Sequence, residues 1–290
     1  MKLTLRVRVL NFFRRVWMIP ALERWLSRQT NGRPANSLLC KFVPNPYQYR
    51  AESLRQFEKD GIRLVVDVSD YIGHFLYFGF TDPGTDRLFN LCRENYNVLD
   101  VGANIGWTSL RLARAAHKGQ VIGFEPDPLN ASRCLMNVQL NDPPNLDILT
   151  VGLGESDGEI LLETRTPSNR GGNRVAPAGY AGGGQKIPVR RLDHVEPVLK
   201  LGRIDLFKVD VEGYELKVLK GAGEVLTRSK PLLFIEVDDQ NLKDQGDSAV
   251  ALINYLQKLG YSRFNRAENN SPVRLDEDFS NCHFDMIALA

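Results

Sequence analysis

One stretch limits the fold more than any other. Val98-Leu99-Asp100-Val101 has buried-strand character and runs into Gly102-Ala103-Asn104-Ile105-Gly106, after which Thr108, Ser109, Leu110, Ala113 and His117 begin a helical period. A strand that turns into a helix through two glycines belongs to a parallel α/β sheet, and such a turn is expected to aim backbone N–H groups at a ligand over the sheet's carboxyl edge. Val121-Ile122-Gly123-Phe124-Glu125 reads as the next strand, and Pro126-Asp127-Pro128 stops it and starts a helix.

Spacing selects the ligand. A dinucleotide fingerprint, G-x-G-x-x-G, needs small residues where a pyrophosphate meets the backbone. Counted from Gly102, those positions hold Asn104 and Trp107, and Asp100 adds like-charge repulsion. S-adenosylmethionine (SAM) has no phosphate and carries an ammonium that a carboxylate and backbone carbonyls can hold. Glu125 stands at the next strand end, where a carboxylate accepts hydrogen bonds from ribose hydroxyls. The expected cofactor residues are therefore Asp100, Gly102, Ala103, Asn104, Gly106, Thr108, Glu125, Pro126 and Asp127, with Gly152 and Leu153 where an adenine would lie.

Four segments carry a family likeness. Asp100-Val-Gly-Ala-Asn-Ile-Gly106, Phe124-Glu-Pro-Asp127, Phe207-Lys-Val-Asp-Val-Glu-Gly213 and Phe234-Ile-Glu236 resemble, in order and spacing, the FkbM-type SAM-dependent methyltransferases, from about Asp70 to the C-terminus. The resemblance implies methylation of a hydroxyl oxygen on a sugar or secondary metabolite. It also implies a class I methyltransferase (Rossmann-like) fold: a mostly parallel seven-stranded sheet, helices on both faces and a C-terminal antiparallel hairpin.

The rest of the chain is read around that core. Residues 1–60 form a basic N-terminal segment and linker, and residues 61–290 the methyltransferase domain. Ser53 to Asp60 reads as a short helix, Arg63 to Val68 as a strand and Thr85 to Glu94 as a helix. Later strands are expected at Leu146–Val151, Ile204–Asp210 and Pro231–Val237, and the closing hairpin pairs Tyr261–Arg266 with Phe284–Leu289. One helix carries Leu216, Leu219, Ala222 and Leu226, and another carries Val250, Ile253, Leu256 and Leu259 on one face. Between strands at Glu159–Glu163 and Ile187–Arg190 lies a glycine-rich insertion, Thr164 to Lys186, expected to fold over the acceptor with Arg170, Asn173 and Arg174 in contact.

Methyl transfer is an in-line displacement, so the protein must align the acceptor and remove its proton. Alternation along Lys208-Val209-Asp210-Val211-Glu212 puts Lys208, Asp210 and Glu212 on one side. Asp210 is the expected base, Glu212 its substitute, and Lys208 orients a carboxylate or the acceptor. Glu236 and Tyr214 are further acceptor contacts. His74 and His194 are within range by sequence order. Asp210, Glu212, Glu236, Asp238 and Asp239 are oxygen donors of the kind Mg²⁺ takes, but no ligand pattern is visible, so no metal is assigned.

Charge separates the ends of the chain. Residues 1–28 carry Lys2, Arg6, Arg8, Arg14, Arg15, Arg24 and Arg28 against Glu23, a balance of +6 within a total of +2 that leaves −4 on the remainder. That remainder is no nucleic-acid footprint. Leu3, Val7, Leu10 and Trp17 with flanking arginines fit either an anionic membrane surface or packing on the body, and no apolar run is long enough to span a bilayer. Cys40, Cys92, Cys134 and Cys282 lack C-x-x-C pairing and fit reduced thiols in a cytoplasmic protein. Competing readings are a base N-methyltransferase, an NAD(P)-dependent oxidoreductase, and a non-catalytic module that docks at a membrane.

Overall fold

The computed structural model describes residues 5–163, 169–177 and 180–290. They fall into two compact units, one holding the chain up to Asp82 with the short stretch that ends at Gly171, the other the remainder from Pro83.

The first unit begins with helices α1 (Leu5–Arg14) and α2 (Pro20–Thr30), followed by strands β1 (Leu54–Lys59) and β2 (Ile62–Asp67) and helix α3 (Tyr71–Tyr77). The short helix expected over Ser53–Asp60 is instead β1, the first half of a hairpin in which Lys59 pairs with Ile62. Asp60 and Gly61 both take positive φ, +51° and +74°, the two-residue turn that Asp-Gly favours, and β1 alternates in burial with period two. Glu23 of α2 is 1% exposed and binds Arg55 of β1 at 2.5 Å and 3.2 Å, and the Thr30 hydroxyl donates to the Phe78 carbonyl at 2.7 Å. These bonds attach the hairpin and α3 to the N-terminal helices, so the boundary expected after residue 60 falls after Asp82.

The second unit contains α4 (Pro83–Leu91), β3 (Val98–Val101), α5 (Trp107–Ala115), β4 (Val121–Phe124), α6 (Pro128–Asn141), β5 (Leu146–Leu149), β6 (Gly152–Leu153), β7 (Gly158–Glu163), β8 (Arg174–Val175), β9 (Gln185–Arg190), α7 (Glu196–Lys200) and β10 (Leu206–Val209). It continues through α8 (Glu215–Lys220), α9 (Gly223–Ser229), β11 (Leu232–Asp238), α10 (Asp239–Asp244), α11 (Ala249–Lys258), β12 (Arg263–Arg266) and β13 (His283–Leu289). Its main sheet has seven strands in the order β12-β13-β11-β10-β3-β4-β5. Only β13 runs against its neighbours, pairing antiparallel with β11 and β12. This is the class I methyltransferase arrangement: the glycine turn follows the central strand, and the order reverses beside it between β3 and β10.

A second sheet, β6-β9-β7-β8, is built from the region of the insertion. The helix expected over Leu216–Leu226 breaks into α8 and α9 at Gly221-Ala222. In α11 the buried face is Ala249, Leu252, Ile253 and Leu256, and Val250 is 50% exposed instead of sharing it. Apolar side chains pack on both faces of the main sheet, Leu99, Ile122, Phe207 and Ile235 on one, Val98, Val121, Leu206 and Phe234 on the other. Among the described residues no helix is long and apolar enough to cross a membrane.

Candidate active site

Register decides the centre of the site. The parallel pairing of β3 with β10 sets Lys208 beside Asp100, both pointing to the face that carries Val98 and Leu206. Lys208 Nζ lies 3.3 Å from Asp100 Oδ1 and 3.3 Å from Asp210 Oδ2, and donates to the carbonyls of Gly102 (2.9 Å) and Val101 (3.3 Å). Burial works against its charge, but Asp210 and Asp100 outweigh burial and hold the ammonium charged. Asp100 has no exposure, and the Ser109 hydroxyl donates to its other oxygen at 2.6 Å. Asp100, expected among the cofactor residues, is thus fully buried, with its carboxylate held by Lys208 and Ser109.

The turn is tied to Asp210 through its backbone. Gly102 has φ +86°, and a Cβ there would stand 1.9 Å from the Asp210 carbonyl oxygen, so only glycine lets the two segments meet. The N–H groups of Gly102 and Ala103 donate to the Phe124 carbonyl at 3.0 and 2.9 Å, and that of Gly106 to Ala103 at 2.8 Å. The Asn104 N–H donates to Glu125 Oε2 at 2.7 Å. Contrary to expectation, these donors are spent inside the protein, and the last already faces a carboxyl group. A pyrophosphate would compete with Glu125 for it, whereas a phosphate-free nucleoside leaves these bonds intact.

Glu125 is 6% exposed, and its second oxygen accepts from the Asp127 N–H at 2.9 Å. Burial pushes its carboxyl up to about 8, although the two backbone donors pull the other way. Asp127 is spent as a helix cap: Oδ1 accepts from the N–H groups of Leu129 and Asn130, both at 3.0 Å, and Oδ2 from Asn173 at 2.9 Å. Pro126 borders a cavity of about 630 Å³ with Ala131, Leu135, Thr150 and Ile187. Gly152 and Leu153 are buried and pair with Val189 and Arg190 as β6. Thr108 is half-buried in the first turn of α5, and its neighbour Ser109 supplies the hydroxyl that reaches Asp100.

Asp210 opens outward, with 43% of its side chain exposed. Glu212 diverges from it despite the expected alternation, because its backbone is left-handed (φ +55°) and its carboxylate accepts from Asn241 Nδ2 at 2.9 Å. The turn is clamped by Glu215, which is 1% exposed and accepts from the N–H groups of Val211 and Gly213, both at 3.0 Å. Burial raises the Glu215 carboxyl to about 7. Burial, with Asp210 adding repulsion, also holds Glu236 well above the usual carboxylate range, and Glu236 Oε2 is buried without a hydrogen-bond partner.

The remaining expected contacts have other work. The Tyr214 ring stands near Lys217 Nζ, 5.4 Å from its centroid, and close enough to Gly154 that a Cβ there would meet it at 3.2 Å. Arg174 is committed to Glu163 at 3.4 Å and to Asp244. Arg170 belongs to the first unit, where its N–H donates to Asp70 at 2.8 Å. Within the insertion, Thr164–Ser168 and Ala178–Gly179 lie outside the described residues. His74 is buried against the Pro44 carbonyl at 2.7 Å, with burial lowering it to about 4, and His194 pairs with Asp157 at 2.9 Å. Asp238 caps α10 and pairs with His283, Asp239 binds Lys243, and among the described residues no group of three metal-binding side chains forms.

Ser109, Glu215 and Asn241 were missed from the sequence. Glu215 had a signal, a carboxylate two residues past the Glu212-Gly213 turn, placed to cap its free N–H groups. Asn241 had none, since it arrives from the helix after the next strand.

Residues 100–263 match the model of the methyltransferase FkbM domain. Among curated proteins, methyltransferase sdnD of Sordaria araneosa is 33% identical over 179 residues, covering 51% of this chain and 69% of its own length. The 2-O-methyltransferase NoeI of Sinorhizobium fredii is 30% identical, covering 50% of this chain and 64% of its own. The hexuronic acid methyltransferase AglP of Haloferax volcanii is 30% identical, covering 52% and 59% respectively.

Proposed function

The chain belongs to the FkbM methyltransferase family, whose chemistry depends on SAM, and from that premise we propose that it methylates a hydroxyl oxygen of a small molecule or sugar. One arrangement carries the reading: a half-exposed carboxylate, Asp210, held against the glycine turn by the buried Lys208.

Bound SAM supplies an electrophilic methyl group on a sulfonium. Glu125 and the Gly102–Gly106 turn are the residues that would hold SAM, the carboxylate as acceptor for the ribose hydroxyls. Asp210 takes the acceptor's hydroxyl proton as the new C–O bond forms and the methyl–sulfur bond breaks, its electron pair leaving with the neutral thioether of the demethylated nucleoside. Lys208 acts as a positioning residue that fixes the direction of Asp210, while Glu215 sets the shape of the turn beyond it. Glu236 Oε2, buried and unpartnered, suits a second hydroxyl of the acceptor. The sugar acid and the 2-oxygen named for two relatives support a sugar-like acceptor. A base N-methyltransferase is disfavoured because Val211-Glu212-Gly213-Tyr214 has neither the proline pair nor the neutral amide that holds a flipped base.

The test is a mass shift on incubation with labelled SAM and a panel of hydroxylated sugars and lipids. Asp210→Asn should abolish turnover while SAM still binds; full turnover in that variant removes the base assignment. Contact of the N-terminal unit with a membrane surface is a separate proposal, supported by its exposed apolar and basic side chains.

A further inference from the structure

The first unit presents an inverted helix. Asn11, the uncharged polar residue of α1, is 9% exposed, while Phe12 and Phe13 beside it are 67% and 62% exposed. The inward side is fixed by polar bonds. Asn11 donates to the Tyr47 hydroxyl at 2.9 Å and accepts from Asn45 at 3.1 Å, and its carbonyl accepts from Gln48 at 2.9 Å. Arg14 donates to the Lys41 carbonyl at 2.8 Å. The outward side is Val9, Phe12, Phe13 and Val16, an i, i+3, i+4, i+7 stripe that in an ordinary surface helix would face the core. Ile19, Trp25 and Phe42 are also about half exposed, and Trp17 stacks on Trp25 at 5.8 Å. Val7 and Trp17, which by sequence fit either a membrane surface or packing on the body, are half-buried.

Charge identifies the occupant. Between residues 5 and 50 the single acid is Glu23, buried against Arg55, whereas Arg15, Arg24, Arg28, Arg33, Lys41 and Arg50 are exposed. A second copy of the chain would bring the same cations to the interface and be repelled. An anionic surface would receive them. We propose that the first unit docks on an anionic lipid bilayer, with Phe12, Phe13, Val16 and Ile19 entering the headgroup region and the arginines meeting lipid phosphates. This deepens the membrane reading given above and is independent of the methyl-transfer reading, because neither its residues nor its assay involves SAM.

The experiment uses the full chain and vesicles of phosphatidylcholine with and without 30% phosphatidylglycerol, read by co-sedimentation and by the tryptophan emission maximum. Expected are binding to the anionic vesicles with a blue shift, at least 10-fold weaker binding to the neutral ones and in high salt, and at least 10-fold loss in Phe12→Ser/Phe13→Ser. Arg15→Glu/Arg24→Glu, which leaves the apolar stripe intact, should lose anionic binding and guards against misfolding of the aromatic variant. The proposal is overturned if wild type ignores anionic vesicles, if either variant binds them as wild type does, or if the stripe instead mediates a dimer that Phe12→Ser/Phe13→Ser dissociates. Methyltransferase activity in solution is expected to be unchanged in both variants, so failure here leaves the catalytic proposal untouched.

Discussion

Glu125 makes ligand affinity depend on pH, and the size of the effect follows from its surroundings. Buried on β4 and holding the N–H groups of Asn104 and Asp127, its carboxyl titrates near 8. Ribose hydroxyls donate, so the ionised form is the better acceptor for both. If only that form binds, apparent affinity scales with its population, which rises from ~3% at pH 6.5 to ~90% at pH 9, a gain of about 30-fold or roughly 2 kcal/mol. SAM itself is a poor probe, because its α-amino group titrates at ~7.7–8.0 in the same window. 5′-Methylthioadenosine keeps the ribose diol and lacks the amine. Calorimetry with this nucleoside should show its Kd falling about tenfold per pH unit below 8 and levelling above it. Glu125→Gln should bind weakly and without slope. A wild-type Kd constant within twofold from pH 6.5 to 9 would refute the argument. The same linkage acts on folding. Glu125 ionises at its ordinary value of 4.5 when unfolded and near 8 when folded, so between those values the native state holds the extra proton. Its contribution to stability therefore falls as pH rises through that window, and bound nucleoside should restore stability at the alkaline end.

Other substitutions test the remaining parts. Lys208→Met leaves Asp100 buried without its cation and should cost about 3–5 kcal/mol, seen as a fall of roughly 10 °C in Tm; adding Asp100→Asn should recover part of it. Gly102→Ala forces a Cβ onto the Asp210 carbonyl at positive φ, and should abolish nucleoside binding with at least ~1–2 kcal/mol of lost stability by chemical denaturation. Glu215→Ala removes the acceptor from two N–H groups at the turn and should lower kcat at least 10-fold with little change in nucleoside Kd; equal loss in both would mean that Glu215 supports the whole sheet edge instead.

The sheet was legible because its strands are short apolar runs separated by turn chemistry, and the order of Asp100, Glu125 and Lys208 to Gly213 followed with it. The strand over Ser53–Asp60 reads as a helix because Leu54 and Phe57 stand at a helical spacing, and the signal that decides, Asp60-Gly61, straddles the end of that window. Within the site, sequence placed the carboxylates but not their allegiance. Asp100 and Lys208 are buried partners only because two strands separated by more than a hundred residues pair in register, which no local pattern encodes. Arg174 lay in an open-looking glycine-rich stretch, yet the carboxylates that claim it, Glu163 and Asp244, come from a neighbouring strand and from α10.

Lys208 gathers the Val101 and Gly102 carbonyls and the carboxylates of Asp100 and Asp210 on one ammonium. The glycine turn and Asp210 are thereby soldered together, so a change on either side of this junction shifts the other with it.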